Sequence, residues 1–505
     1  MSDLLLGIDI GTSACKAAVF TLDGRVAAQC SEEYQVFYPK PGWAEQNPDD
    51  WWRAVCRCVQ KIGESGIPLK DIRSVGIDGQ SWSAIPVDRD GRVLNNTPIW
   101  FDTRAEEICR DLKKRVPEEE IFALCGNPLQ AAYTLPKILW FQKHMPQMYE
   151  KTHQFLQSNS FIAYRLTGEF TQDRSQGYGL QCYDIQKGRW DLSMCDRMGI
   201  DPQKLPKLFD CHEIVGTVTA KAAVETGLPE GTPVAAGGLD AACGTLGAGV
   251  VRDGETQEQG GQAGGMSICM ESFHSDPRLI LGHHVVPGTW LLQGGSVGGG
   301  GVMRWLAREL GTDAQLKAEQ NGTGKLYELD REAEAVAPGS DGVVFLPYMA
   351  GERSPIWNPK AKGVFFGLDY AKTRGHMVRA AMEGVGFSLQ HNLQVAQEAG
   401  VAVSQLRAQG GAANSRLWTQ IKADITGKEI LVPPSDTAAT LGAAILAGVG
   451  VGLYGSFEEA VSRTVKILRR HTPDPKNKAA YEKNYLVYRQ LYEQLKPMMG
   501  DKEEQ

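Results

Sequence analysis

The sequence predicts an α/β protein with mixed sheets, arranged as two related lobes flanking a cleft. Three features predict it. Short apolar strands run into hairpin or glycine turns near the start of the chain and again around residues 233–240. Stretches of helical periodicity lie between the strands, the mixture expected of α/β architecture. A glycine-rich strand-turn occurs in each half of the 505-residue chain. The boundary is expected where a helix gives way to polar turn residues at Gly247–Glu258, giving lobes of residues 1–248 and 249–505 with a ligand site between them.

Taken in order, Leu4 to Ile10 reads as a short apolar strand, Gly11-Thr12-Ser13 as a turn and Ala14 to Phe20 as a second strand. Asp23-Gly24 is a hairpin signal, and Val26 to Cys30 makes a third strand. Asn47-Pro48-Asp49-Asp50 opens a helix with an N-cap, a proline at the first position and two acids in the positive first turn. Trp51, Val55, Val59 and Ile62 supply its apolar stripe. The strand pattern recurs at Ser74 to Gln80 and at Ser83 to Val87, followed by Asp90-Gly91 and Val93. Pro233 to Asp240 leads a strand into a helix from Ala241. Trp290 to Gln293, Gly342 to Leu346 and Gln405 to Gly410 read as later strands, and Met377, Ala381, Val385, Leu389 and Leu393 as one helical face. Thr437 to Gly455 is uncharged but mostly alanine and glycine, whereas a membrane span needs about 20 predominantly apolar residues. With Ser435 and Asp436 as N-caps it predicts a tightly packed buried helix. A last helix from Tyr481 to Leu495 is expected to pack back on the first lobe.

Composition narrows the function. Apolar residues make up 42% and charged residues 22%, which excludes a disordered chain or a coiled coil. Glycine is enriched, 57 of 505 residues, and marks turns and close backbone approaches. A net charge of −7 with scattered signs lacks the footprint of a nucleic-acid binder. Eleven cysteines without a CxxC pair, and an opening MSDLLLGIDIG without a signal-peptide pattern, predict reduced thiols, a cytoplasmic location and no membrane partner.

Several segments can carry chemistry. Asp9 ends a buried strand, and Gly11, Thr12 and Ser13 with Lys16 present N–H groups, hydroxyls and a cation suited to phosphate or a metal-bound phosphate; an ordinary hairpin turn reads equally well. Asp240, after Gly237-Gly238-Leu239, is either an N-cap or a carboxylate placed to accept a substrate proton. Gly294 to Gly301 suits phosphate at a helix N-terminus. It also matches the G-x-S-x-G elbow of hydrolases through Ser296, with His376, His391 and His471 as nominal partners, although no oxyanion motif precedes it. Gly410, Gly411 and Asn414 lie where a strand enters a helix, a cradle for base and ribose or a tight turn. No Walker A motif exists, since Gly324-Lys325 lacks its surroundings. Trp82 and Trp100 offer indole faces to a sugar, and Gln80, Asp102 and Arg104 offer hydroxyl partners; core tryptophans are the plainer reading.

Together, LGIDIGTSACK, PGWAEQNPDDWW, GQSWS, IWFDTR, GGLDAACGTLGAG and GGAANSRLW resemble the FGGY family of carbohydrate kinases over nearly the whole chain. The signatures Thr134-x-x-Lys137-Ile-x-Trp140-Phe141 and Gly363 to Gly384 are similar to those of the family. The resemblance implies the actin-like, ribonuclease-H-like two-lobe fold, ATP and Mg²⁺, and transfer of a phosphoryl group to a sugar hydroxyl. It implies Asp240 as catalytic base and Asp9 as the metal-site carboxylate. Gln80, Ser81, Trp82, Trp100, Asp102, Arg104 and Asp240 would line the sugar. Gly11, Thr12, Ser13, Lys16, Gly261, Gly298, Gly410, Gly411 and Asn414 would line the nucleotide. GGSVGGGGVMRW and PGWAEQNPDDWW resemble the xylulokinase branch, implying a ketopentose such as D-xylulose, and a homodimer is compatible with that branch. Three departures stand out: Gln80-Ser81-Trp82-Ser83 replaces Gln-Met-His-Gly, Trp100-Phe101-Asp102 replaces Trp-Asn-Asp, and Gly261-Gln262-Ala263-Gly264 replaces Gly-Thr-Ser-Gly. The first two exchange polar partners for aromatic bulk, so another ketose, a polyol or a sugar acid remains an alternative. An actin-like nucleotide-binding regulator without sugar chemistry is the reading from a different class.

Overall fold

A computed structural model describes residues 3–434 and 436–500. Each lobe is built on a seven-stranded mixed sheet. In the first, Leu4–Ile10, Ala14–Thr21 and Val26–Glu33 form an antiparallel meander, and Ile72–Gly79 joins Leu4–Ile10 in parallel. Pro233–Ala235 and Gly238–Leu239 both add to Ile72–Gly79 in parallel. The second sheet repeats the plan. Glu255–Gly260, Gly264–Met270 and Trp290–Ser296 form the meander, and Gln405–Gln409 and Ile430–Val432 follow in parallel. This duplication is the two-lobe architecture expected from the strand-turn in each half.

The helix Pro48–Glu64 begins as its sequence dictates. Asn47 accepts a hydrogen bond from the Asp49 N–H, Pro48 takes the first position, and Trp51, Val55, Val59 and Ile62 are buried. Arg374–Glu398 is capped by a reciprocal Thr373–His376 box and is buried on nearly every side.

Two expectations change. The last helix, Lys478–Leu495, does not return to the first lobe: Tyr481, Tyr488 and Tyr492 join the second-lobe core with Phe345, Tyr348 and Phe387. The element that crosses over is Ala438–Gly450, the alanine- and glycine-rich helix, which lies against the first sheet and against Asp240–Gly247. Small residues are required there. A Cβ on Gly76 would stand 1.8 Å from the Ala443 carbonyl oxygen, and one on Gly7 would stand 1.9 Å from that of Thr440. The same helix begins with Thr437 at its cap position and no side-chain capping bond, so Asp436 is not its cap; Ser435 lies outside the described residues. No described helix is long and apolar enough to cross a membrane. All eleven cysteines are free thiols.

Candidate active site

Strand register brings three carboxylates together. Asp9 and Asp78 are direct neighbours on the parallel strands Leu4–Ile10 and Ile72–Gly79. Gly238 pairs with Asp78, which places Asp240 just beyond the same strand ends. Gly237 permits this approach: it adopts a left-handed φ of 77°, and a Cβ there would lie 2.0 Å from the Ile77 carbonyl oxygen.

Asp240 is not a helix cap. Leu239 occupies the cap position without a side-chain bond, and Asp240 is the first helical residue, one carboxylate oxygen accepting the Ala241 N–H at 2.6 Å. Burial, with the Asp9 carboxylate beside it, pushes the Asp240 carboxyl up to about 7. Asp9 is pushed up by burial against the pull of Lys16, whose ammonium lies 4.0 Å away. Asp78 is fully buried and its carboxyl is driven well above the usual range by burial and by Asp9 and Asp240.

Asp9, Gly11, Thr12, Ser13, Lys16 and Asp240 line one cleft of about 380 Å³. Gly261 and Gly410 close it from the second lobe, and Ala438–Thr440 from the crossing helix. Sequence reasoning missed Gln257, Gln259 and Gln409 on this wall. Gln257 accepts the Thr245 hydroxyl at 2.7 Å and donates to Gln409 at 2.8 Å. A second cavity of about 430 Å³ adjoins the first through Gly261. Gly411 and Asn414 line it, as do Met303, Tyr327 and Trp418. Tyr327 sits on a helix face in a segment without a motif, so its spacing gives no signal, whereas Met303 lies within GGSVGGGGVMRW, where only the glycines draw attention. The Asp9 carboxylate on the cleft wall fits a hard cation such as Mg²⁺, which takes few protein ligands and keeps water and phosphate oxygens. Among the described residues no group of three or more His, Cys, Asp or Glu forms a closed metal cage.

The glycine turn at 294–301 is used differently from expectation. The N–H groups of Gly300 and Gly301 donate to the carbonyls of Gly261 and Gln262, and Gly298 packs against Pro347 and lines neither large cavity. Two N–H groups of the turn thus brace the Gly261 segment, and Gly300 lines the second cavity. Ser296 is no hydrolase nucleophile: its hydroxyl donates to the buried Glu352 at 2.6 Å, and that carboxylate also accepts the Val297 and Arg353 N–H groups. His376 is engaged by Thr373 and Asp341, and His471 by Gln420. Ser296→Ala is expected to cost about 1–3 kcal/mol of stability by urea unfolding, since it strips one bond from a buried carboxylate, and to leave ester hydrolysis unchanged at background.

Among the residues expected to line the sugar, Asp102 and Arg104 are spent on each other. Two guanidinium nitrogens reach the two Asp102 oxygens at 2.9 and 2.7 Å, the third nitrogen pairs with Glu45 at 2.8 Å, and the guanidinium lies 3.9 Å over the Trp43 ring. This buried pair braces the wall and offers no free partner to a sugar, against expectation. Lys137 is likewise committed to the Trp82 and Ile99 carbonyls at 3.0 and 2.8 Å, and burial pulls its ammonium down to about 7. Gln80 is buried, whereas Ser81, Trp82 and Trp100 are half-buried. Trp82 adopts a left-handed φ of 58°, a strained conformation that a tryptophan keeps only where its surroundings impose it. Its ring meets Tyr133 and Tyr178 edge-on, centroids 4.7 and 6.2 Å away, and among the described residues its buried indole N–H makes no well-formed hydrogen bond.

Sequence and structure comparisons find relatives over nearly the whole chain. The profile of the FGGY family of carbohydrate kinases, N-terminal domain, matches residues 4–247, and that of the C-terminal domain matches residues 272–451. The chain is 32% identical to a xylulose kinase of Escherichia coli (strain K12), over 98% of this chain and 100% of the relative. It is 31% identical to a gluconokinase of Bacillus subtilis (strain 168), over 94% of this chain and 92% of the relative. The crystal structure of xylulose kinase from Rhodospirillum rubrum superposes with a TM-score of 0.91 at 30% identity, covering 98% of this chain and 100% of that one.

Proposed function

The chain belongs to the FGGY family of carbohydrate kinases, and from that premise we propose that it transfers the γ-phosphoryl group of ATP to a hydroxyl of a ketopentose such as D-xylulose, with Asp240 as general base. The observation that carries this reading is the position of Asp240: first in its helix, unused as a cap, and facing the same cleft as Asp9, Thr12 and Lys16.

The triphosphate lies along Gly11, Thr12, Ser13 and Lys16, closed over by Gly261 and Gly410. Base and ribose enter the adjoining cavity between Tyr327, Gly411 and Asn414. The acceptor hydroxyl oxygen forms a bond to the terminal phosphorus as the bond to the β-phosphate oxygen breaks. ADP leaves, and the hydroxyl proton passes to Asp240. Phosphoryl transfer has a loose transition state, so alignment and charge neutralisation carry most of the catalysis and the base acts late. Asp240, raised to about 7, has the affinity to take that proton while still giving it up to solvent near neutrality. Mg²⁺, when bound at Asp9, supplies neutralisation of phosphate charge. Closure of the two lobes excludes water from the phosphorus.

Gluconate phosphorylation is the second reading, prompted by the gluconokinase relative. The acceptor side favours a neutral sugar. Arg104 and Lys137 are consumed internally, and Asp240 on the cleft wall would repel a carboxylate when ionised. The test is ADP release across ketopentoses, polyols and aldonic acids. D-Xylulose or a related ketose is expected to stimulate turnover at least about tenfold above an aldonate; the reverse order would replace the ketopentose by a sugar acid.

A further inference from the structure

Thr12 is held by side chains from outside its own hairpin. The turn's other carbonyls are fixed by a neighbour on the sheet: Tyr34 donates its hydroxyl to Gly11 at 2.5 Å and its N–H to Ser13 at 3.1 Å. Thr12 is fixed by two residues from segments outside that meander, one of them backed by a third. The Gln46 side-chain amide donates to the Thr12 carbonyl at 2.7 Å, and the Trp100 indole N–H donates to the Thr12 hydroxyl oxygen at 2.9 Å. The Gln80 amide donates to the Gln46 side-chain oxygen at 2.7 Å. Gln46 and Gln80 are each 1% exposed, so these amide bonds are costly to leave unmade. A two-residue ladder, Glu45–Gln46 against Thr97–Pro98, places Gln46 beside the Trp100 segment.

The direction of these bonds matters. The Thr12 oxygen accepts from Trp100, so its own proton must go elsewhere, and its nearest protein acceptor, the Gln80 oxygen, stands at a weak 3.5 Å. That proton is free for an oxygen in the cleft that Thr12 lines. In the kinase reading Trp100 and Gln80 belong to the segments assigned to the acceptor wall, Gln80 directly preceding Ser81 and Trp82.

Resting on the kinase reading above, we infer that Trp100 and Gln46 are positioning residues. They tie the phosphate turn to the acceptor wall through Thr12, so that the Thr12 hydroxyl points its proton at the transferred phosphate only while the acceptor wall is in place. They touch neither phosphate nor the reacting hydroxyl to do this.

A double-mutant cycle between Trp100→Phe and Thr12→Val tests it, read by steady-state kinetics with D-xylulose or the fastest acceptor of the panel. Trp100→Phe is expected to lower kcat about tenfold while the sugar KM stays within about threefold. On the Thr12→Val background the same substitution is expected to change kcat less than about twofold, because the group it acts through is gone. Gln46→Met, which removes the amide bond to the Thr12 carbonyl, should show the same kcat-against-KM split, and it serves as the test if Trp100→Phe does not fold by thermal melting. Equal losses on both backgrounds, or a change confined to the sugar KM, would overturn the inference and leave Trp100 as a sugar contact alone. Full turnover in Asp240→Asn would reject the reading of the site instead, while the Trp100–Thr12 coupling would still be measured independently.

Discussion

Asp240→Asn is expected to lower turnover by ~10²–10⁴-fold, with ATP affinity within about threefold of the parent enzyme. The substitution keeps shape and the bond from the Ala241 N–H, because the asparagine carbonyl can accept it. What it removes is the ability to take the acceptor proton. It also removes a neighbouring carboxyl group that can carry charge, which eases the ionisation of Asp9 and Asp78. Nucleotide binding therefore has no reason to fall, and a loss confined to kcat separates a proton acceptor from a phosphate contact. Near-parental turnover would remove Asp240 from the mechanism.

The second large effect concerns the fold that holds the site. Gly76→Ala places a Cβ 1.8 Å from the carbonyl oxygen of Ala443 and 2.5 Å from its carbon. Both atoms belong to main chain inside the Ala438–Gly450 helix, so no side-chain rotation relieves the clash. Either the helix lifts from the first sheet or the strand carrying Asp78 shifts. A cost of at least about 3 kcal/mol is expected, seen as a lowered melting temperature or loss of folded protein. Gly411→Ala is the control: nothing lies within 4 Å of its Cβ position, and stability is expected to stay within about 0.5 kcal/mol. Equal melting of the two variants would show that the helix does not seat on the sheet in this way.

Much of this architecture was legible from local rules. Strand periodicity and Asp23-Gly24 located the first meander, and Asn47-Pro48 located a helix start to the residue. Asp9, Thr12, Lys16, Gly410 and Asp240 stand out by residue type at strand ends and Gly261 through the family resemblance, and all six line one cleft. What stayed hidden depends on packing between distant segments. Asp78 looked like one more residue of a buried strand, and only register makes it a neighbour of Asp9 and Asp240. Arg104 and Asp102 looked like sugar partners because their types suit hydroxyls, yet they satisfy each other between tryptophans. The glycines at 298–301 looked like exposed N–H donors until the Gly261 turn claimed two of them. A helix's apolar stripe states that it will be buried, not against which lobe; the last helix and the Ala438–Gly450 helix both show this.

The most direct measurement is a crystal structure of the complex with a non-hydrolysable ATP analogue and the acceptor sugar. An Asp240 carboxylate oxygen should lie about 2.6–3.2 Å from one sugar hydroxyl, with that hydroxyl in line with the terminal phosphorus. A sugar seated away from Asp240, with some other group in contact with its reacting hydroxyl, would contradict the account.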